Sequence, residues 1–167
     1  DPQALQLLEG NFPKGAMITL TPWEPQEVWP LLAAALKARP AVIAPFVTRP
    51  TEKIIDRAAS GLPGAQAAVN GIYPLMKADP KQKLYHGTIV LQGNGVTTVF
   101  VNEVMPKLRE MGLNLNVFYV ASKELYDFLD EKEKEELYPG YCALEAMGVT
   151  DFTLPTMYFW VRSKEGI

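Results

Sequence analysis

Residues Tyr85–Ala121 read YHGTIVLQGNGVTTVFVNEVMPKLREMGLNLNVFYVA, and this stretch restricts the possible folds more than any other. A strand-like run, His86–Leu91, stops at the turn Gly93-Asn94-Gly95. A segment of helical period follows, with Val96, Val99, Phe100, Val104, Leu108 and Met111 on one side. Gly112 punctuates it, and Leu115–Val120 is a second apolar run rich in β-branched and aromatic residues. Strand, turn, helix and strand at this length form a βαβ unit, whose right-handed crossover makes the strands parallel. Both strands are apolar on successive residues, as expected where helices cover both faces of a sheet. Pro106 stands in mid-helix, where the lost hydrogen bond and ring clash cost about 3 kcal/mol. Burying Val99, Phe100, Val104, Leu108 and Met111 contributes on the order of 7–15 kcal/mol, so the pattern predicts a kinked helix and not a broken one.

An earlier unit has the same order. Ala16–Thr21 is a short strand, and Pro22-Trp23-Glu24-Pro25 sets up a helix start, because proline forfeits little in a first turn. Val28, Leu31, Leu32, Ala35 and Leu36 make a core-facing stripe, and Pro30 lies early enough to be tolerated. Ala41–Val47 is a buried-type strand whose Pro45 places it at an edge or a bulge. Residues 51–83 hold Gly61, Pro63, Gly64, Gly71, Pro74 and Pro80 with no sustained period, and read as a linker with a short helix at Thr51–Ala59.

After Tyr85–Ala121, Ser122 is an N-cap for a helix over Lys123–Asp130. Glu131–Glu136, EKEKEE, is a solvated helix face, and Tyr138-Pro139-Gly140 closes that region. Tyr141–Met147 admits a strand or a short helix, with strand favoured for Tyr141–Leu144, and Gly148–Trp160 has no assignable pattern. The aromatic run Met157–Val161 needs something to pack against. Together with the absence of an initiator Met, it suggests a piece of a longer polypeptide or a chain that completes a complex.

At 167 residues the chain suits one domain, or one domain and part of another. A net charge of −3 without a basic patch argues against a nucleic-acid partner. The single cysteine, Cys142, permits no internal disulfide and reads as a buried structural thiol, which suits a reducing, cytoplasmic setting. No apolar run has the length of a membrane span.

Candidate chemistry is sparse. The Gly93-Asn94-Gly95 turn opens a helix at the C-terminal end of a strand, where backbone amides attract anions. A dinucleotide pattern would need a third glycine where Thr98 stands. The turn is therefore either an anion site or a tight turn capped by Thr97 or Thr98. His86 is the sole histidine, so no histidine-based metal cluster exists, and a hydrogen-bonded structural role suits it. Ser60, Ser122 and Ser163 sit in no nucleophile elbow. Glu145, in the apolar context ALEAMG, is a candidate buried acid. Arg49 follows a strand at its C-terminal end, where a guanidinium can meet phosphate or carboxylate bidentately, or can stand exposed in a linker.

Read together, WEPQEVWPLLAAALKARP, AVIAPFVTRP, PTEKIIDRAASG, GIYPLMKADP, GTIVLQGNGVT, GLNLNVFYVASKELYDFL and GVTDFTLPTMYFWV resemble, in that order, the C-terminal part of transketolase. The resemblance covers nearly the whole chain. It implies an α/β fold, a three-layer αβα arrangement with a mostly parallel sheet, preceded by a βαβ remnant of a thiamine-binding domain. Residues 1–50 would end the pyrimidine-binding domain, 51–83 would be the inter-domain linker, and 84–167 would be a truncated C-terminal domain. The complete enzyme would be a cytoplasmic homodimer of the pentose phosphate pathway. It would transfer a two-carbon ketol unit between sugar phosphates with thiamine diphosphate and Mg or Ca. This chain lacks the family's Gly-Asp-Gly tripeptide, holds none of its catalytic residues, and alone would bind no cofactor and be inactive. The remaining part of the polypeptide would be its partner, with neither nucleic acid nor membrane involved. By the same resemblance Arg49, in VTRP, matches the arginine that binds the sugar phosphate, whereas Gly93, Asn94 and Gly95 stay a weaker anion-turn candidate. Two other readings stand beside this one. One is a free-standing α/β anion- or nucleotide-binding regulatory module. The other is the equivalent region of another thiamine enzyme, such as a 2-oxoacid dehydrogenase subunit or deoxyxylulose-phosphate synthase.

Overall fold

A computed structural model describes residues 2–48 and 51–166. Its centre is a four-stranded sheet of order β3-β5-β4-β6, formed by β3 (Ile72–Met76), β4 (Thr88–Gln92), β5 (Asn116–Val120) and β6 (Met147–Thr150). Strands β5, β4 and β6 are parallel, and β3 joins antiparallel to β5. A two-stranded parallel sheet, β1 (Met17–Leu20) with β2 (Val42–Pro45), stands beside it. The chain is mixed α/β with mostly parallel sheets, as the sequence pattern predicts.

The run of apolar residues in β4 and β5 is explained by two cores, one on each sheet face. Leu91, Val117 and Tyr119 face a cluster with Ile18, Leu20, Trp23, Leu31, Phe100 and Met105. Val90, Phe118 and Val120 face a second, with Tyr138, Cys142, Trp160 and Val161. Alternate residues of one strand point to opposite faces, so a strand buried on both must be apolar throughout. The tail Met157–Val161 finds its packing here: the Trp160 ring lies 5.0 Å from Tyr126 and 5.9 Å from Tyr138. Cys142 is buried, as expected.

Helices α3 (Asn94–Val99) and α4 (Met105–Glu110) are joined without a break by a π-helical turn, Phe100–Val104. Proline at 106 has no N–H and its ring crowds the preceding turn. The wider turn, in which the Met105 N–H donates to the Phe100 carbonyl, makes room for it.

In the first unit, a 3-10 turn (Pro25–Glu27) leads into α2 (Val28–Lys37). Its buried stripe is narrower than the pattern predicts: Leu31 and Ala35 are buried, but Leu36 is 65% exposed. Strand β2 is an edge strand ending on Pro45, but it is half-exposed and not buried, with no further strand beside it among the described residues.

Residues 51–83 contain more structure than their composition suggests. Thr51–Ala59 is irregular, with a turn from Arg57 and no helix, while Ala65–Asn70 is a 3-10 helix leading into β3. Pro74 does not prevent the strand, because β3 lies at the sheet edge and its pairing shifts register between Pro74 and Met76. Gly71 at φ 84 turns the chain into β3 where a Cβ would meet the Ser122 carbonyl at 2.2 Å.

Ser122 caps α5 (Lys123–Asp127), its hydroxyl accepting from the Leu125 N–H at 3.2 Å. That helix is shorter than expected because Asp130 starts another. Asp130 and Glu133 form a capping box for α6 (Glu131–Leu137), which buries no residue, as EKEKEE requires. Tyr141–Leu144 is helical and not a strand, lying within α7 (Gly140–Glu145). Its buried positions are Cys142 and Ala143, and Ala146, the extended residue that caps it, is buried as well. The short helix α1 (Gln3–Leu8) packs near β1 through Leu5. No described helix is long and apolar enough to cross a membrane.

Candidate functional site

The C-terminal ends of β1, β2, β4 and β6 converge, the position at which open parallel sheets gather ligands. A cavity of about 300 Å³ there is lined by Thr21, Phe46, Thr48, Gly93, Asn94 and Asp151. A second, of about 280 Å³, lies across Val47 and Thr48 against Trp23, Glu24, Glu52 and Asn94.

The glycine turn at the end of β4 is filled by the chain itself. The Asp151 carboxylate, delivered by β6, accepts from the Val96 N–H at 3.1 and 3.3 Å. Gly93 has φ 108, and a Cβ on it would lie 2.7 Å from the Asp151 Cβ; one on Gly95 would lie 3.1 Å from an Asp151 oxygen. The glycines thus permit the close approach of an internal carboxylate. Neither predicted threonine caps the helix. Thr98 accepts from the Trp23 indole N–H at 3.2 Å, and the buried Thr97 hydroxyl has no hydrogen-bond partner among the described residues. Asn94 donates from Nδ2 to the Glu52 carboxylate at 2.7 Å and to the Trp23 carbonyl. Arg49 lies outside the described residues, while Thr48 before it and Glu52 after it are bonded to each other.

Behind the second cavity lies a buried ionic cluster that the sequence reading did not single out. Arg57, 5% exposed, donates to Glu24 from Nε at 2.8 Å, to Glu27 from Nη2 at 2.6 Å and to the Pro63 carbonyl at 3.0 Å. The Tyr73 hydroxyl also donates to Glu27, whose other oxygen accepts from the Trp23 N–H at 2.7 Å. The guanidinium stacks 5.3 Å from the Trp23 ring. Burial pushes the Glu27 carboxyl above its ordinary value, against the opposing pull of Tyr73 and Arg57. One cation against two carboxylates, all buried, makes this a structural clamp between the first unit and β3. The only sequence signal was charge inside a helix start, WEPQE, with no hint of its partner.

The other candidates separate from this region. His86 pairs with Asn114, its N–H donating to the carbonyl at 2.8 Å and its Nδ1 accepting at 3.0 Å, the structural role expected. Glu145 is exposed and not a buried acid; it accepts from the Tyr85 and Thr88 hydroxyls. Burial and this carboxylate push the Tyr85 hydroxyl up. Ser122 is spent on capping, and the Ser163 hydroxyl donates to the Ala146 carbonyl at 2.5 Å. Among the described residues no group of three His, Cys, Asp or Glu side chains could hold a metal ion.

This architecture is found in solved enzymes. The transketolase of Leishmania mexicana superposes with a TM-score of 0.71 at 13% identity, over 96% of this chain and 22% of that one. The chain has the fold of a transketolase segment. The Campylobacter jejuni transketolase gives 0.62 at 19% identity, over 96% and 22%. The Pichia stipitis transketolase solved with sedoheptulose-7-phosphate gives 0.69 at 15%, over 91% and 20%. The chain therefore spans about a fifth of the length of these transketolases. No protein-family model matches the sequence, and no curated protein matches it.

Proposed function

We propose that this chain is the C-terminal portion of a thiamine diphosphate-dependent transketolase, and that the complete protein transfers a two-carbon ketol unit between sugar phosphates. The observation that carries this reading is the shared fold over 96% of the chain with a fifth of a transketolase. The order of resembling segments along the sequence supports it independently. On this reading residues 1–50 close the pyrimidine-binding domain, 51–83 connect the domains, and 84–167 belong to the C-terminal domain. The complete enzyme is a cytoplasmic homodimer.

The residues present do not fit the cofactor. No three-ligand metal cluster exists among the described residues, and the glycine-turn amide of Val96 is taken by Asp151. On this reading thiamine diphosphate and its divalent metal are held by the remainder of the polypeptide, and the chain alone is expected to be inactive. Its own contribution to the reaction is Arg49, whose guanidinium would donate bidentately to the oxygens of a sugar phosphate.

The test is the complete polypeptide from the same source. Ketol transfer should require added thiamine diphosphate and be absent from residues 1–167 alone. Arg49→Ala should weaken use of a phosphorylated acceptor by about 2–5 kcal/mol, the loss typical of a removed charged partner. A complete polypeptide without cofactor-dependent ketol transfer would refute the function. Unchanged kinetics in the variant would remove Arg49 from the site.

A further inference from the structure

Two Asn-Gly pairs occur in the chain, Asn70-Gly71 and Asn94-Gly95. Asparagine before glycine is open to a spontaneous reaction, because no Cβ on the following residue shields the backbone nitrogen from the side-chain amide carbon. That nitrogen, once deprotonated, attacks the amide carbon and closes a cyclic imide, and ammonia leaves. Water then opens the imide at either carbonyl. One product is aspartate; the other is isoaspartate, in which the side-chain CH2 has become part of the backbone.

The structure separates the two pairs. Asn94 is half-buried at the first position of α3, and its Nδ2 donates to the Trp23 carbonyl and to Glu52, the latter at 2.7 Å. Both amide protons are spent, so the side chain cannot turn toward the Gly95 nitrogen without breaking these bonds. Asn70 is the exposed last residue of the 3-10 helix Ala65–Asn70, and its side chain makes no hydrogen bond among the described residues. The nitrogen that would attack it, that of Gly71, is held by one bond, to the Ala68 carbonyl at 2.9 Å. Gly71 itself has no room to move. A Cβ on it would lie 2.2 Å from the Ser122 carbonyl and 2.5 Å from the Tyr126 nitrogen. Its carbonyl accepts from the Ala121 and Ser122 N–H groups at 2.7 and 2.9 Å, which seats the start of β3 against the end of β5.

We infer that Asn70 is a site of spontaneous modification, and that conversion to isoaspartate there unseats β3. The added backbone carbon falls immediately before a residue wedged between Ser122 and Tyr126, so the strain must pass into the strand or out of the 3-10 helix. Tyr73, two residues further on, donates to Glu27, so the lesion also reaches the buried clamp. The site is independent of the transketolase reading.

The experiment is tryptic mapping of the complete polypeptide after incubation at mildly alkaline pH, folded and in urea. Asn70 and Asn94 fall in separate peptides, 58–77 and 84–107. Mass distinguishes each amide from its acid, and retention distinguishes aspartate from isoaspartate. In the folded protein conversion at Asn70 should exceed that at Asn94 by at least about tenfold, the effect of the bonds that hold Asn94. In urea the two should convert alike. Equal conversion in the folded protein, a faster Asn94, or an Asn70 that reacts only in urea would overturn the site. Backbone hydrogen exchange across β3 reads the consequence, and should be at least about tenfold faster in the isoaspartate form. Asn70→Asp, which adds the charge without the extra backbone carbon, should exchange like the wild type. Asn70→Gln, whose longer side chain closes the ring far more slowly, should keep its protection through the incubation. Unchanged exchange in the isoaspartate form, or an equal loss in either variant, would overturn the effect on β3.

Discussion

Replacing Arg57 by alanine isolates the buried clamp. The change removes the only cation within reach of Glu24 and Glu27 among the described residues, at 2.8 and 2.6 Å, and leaves the Pro63 carbonyl unpaired. Breaking a buried pair by deleting one partner costs about 3–5 kcal/mol, and the lost hydrogen bond to the Pro63 carbonyl about 1 kcal/mol more. The sum, about 4–6 kcal/mol, is a large part of the ordinary 5–15 kcal/mol of a folded domain. For a chain of this size it corresponds to a fall in Tm of roughly 8–24 °C. Glu27 limits the damage by taking a proton. Its folded-state pKa already lies above 4.5 and would rise further without Arg57. A carboxyl raised in this way contributes stability that is fully present below its unfolded pKa and is lost as pH rises through the folded one. The gap between wild type and Arg57→Ala should therefore be smallest at acid pH and widen as pH rises. Urea unfolding of both proteins at an acid and an alkaline pH measures it. A loss under about 1 kcal/mol at the higher pH, or a gap independent of pH, would refute the clamp. Adding Glu24→Gln and Glu27→Gln to the variant should return part of the stability, since the uncompensated charge is what costs most.

Glu9 is a second titrating site: burial first, then Glu124 and Asp127, against Lys123, push its carboxyl up to about 8. Its contribution is complete below pH 4.5, where folded and unfolded forms both hold the proton, and is lost as pH rises through about 8. Glu9→Gln should flatten this part of the pH dependence of the urea midpoint, and an unchanged slope would remove Glu9 as its source. Gly93→Ala should destabilise by about 1–3 kcal/mol from positive-φ strain alone, plus the clash with Asp151. Adding Asp151→Gly, which removes the Cβ as well as the carboxylate, should relieve the clash and leave the strain; a Gly93→Ala variant within about 0.5 kcal/mol of wild type would contradict that geometry.

The elements legible in the sequence were those with a strong local period. The Tyr85–Ala121 unit has the strand, helix and parallel strand that were read, although Val99 and Met111 of its expected apolar side are 52% and 71% exposed. The chain stays helical through Pro106 as expected, but Val99 and Met111 do not supply the burial counted for it, and the π-turn that accommodates the proline had no signal of its own. Strand β3 was hidden because Pro74 demotes a strand unless its position at the sheet edge is known. The α7 segment YCAL was misread because four apolar residues satisfy either period. Leu36 and β2 were expected to be buried because a pattern shows which face can be covered, not whether anything covers it.

At the candidate site the division is sharper. Composition and periodicity determined the α/β class, the parallel pair at the centre and the glycine turn at a strand end, all properties of neighbouring residues. Tertiary structure alone decided what that turn serves: Asp151, 55 residues beyond Val96, fills it, and Asn94 reaches 42 residues back to Glu52. It also decided that Arg57 meets Glu24 and Glu27 across 33 and 30 residues. Charged partners so far apart leave no periodic trace, because their pairing is imposed by how the sheets pack and not by the local conformational preference of either residue.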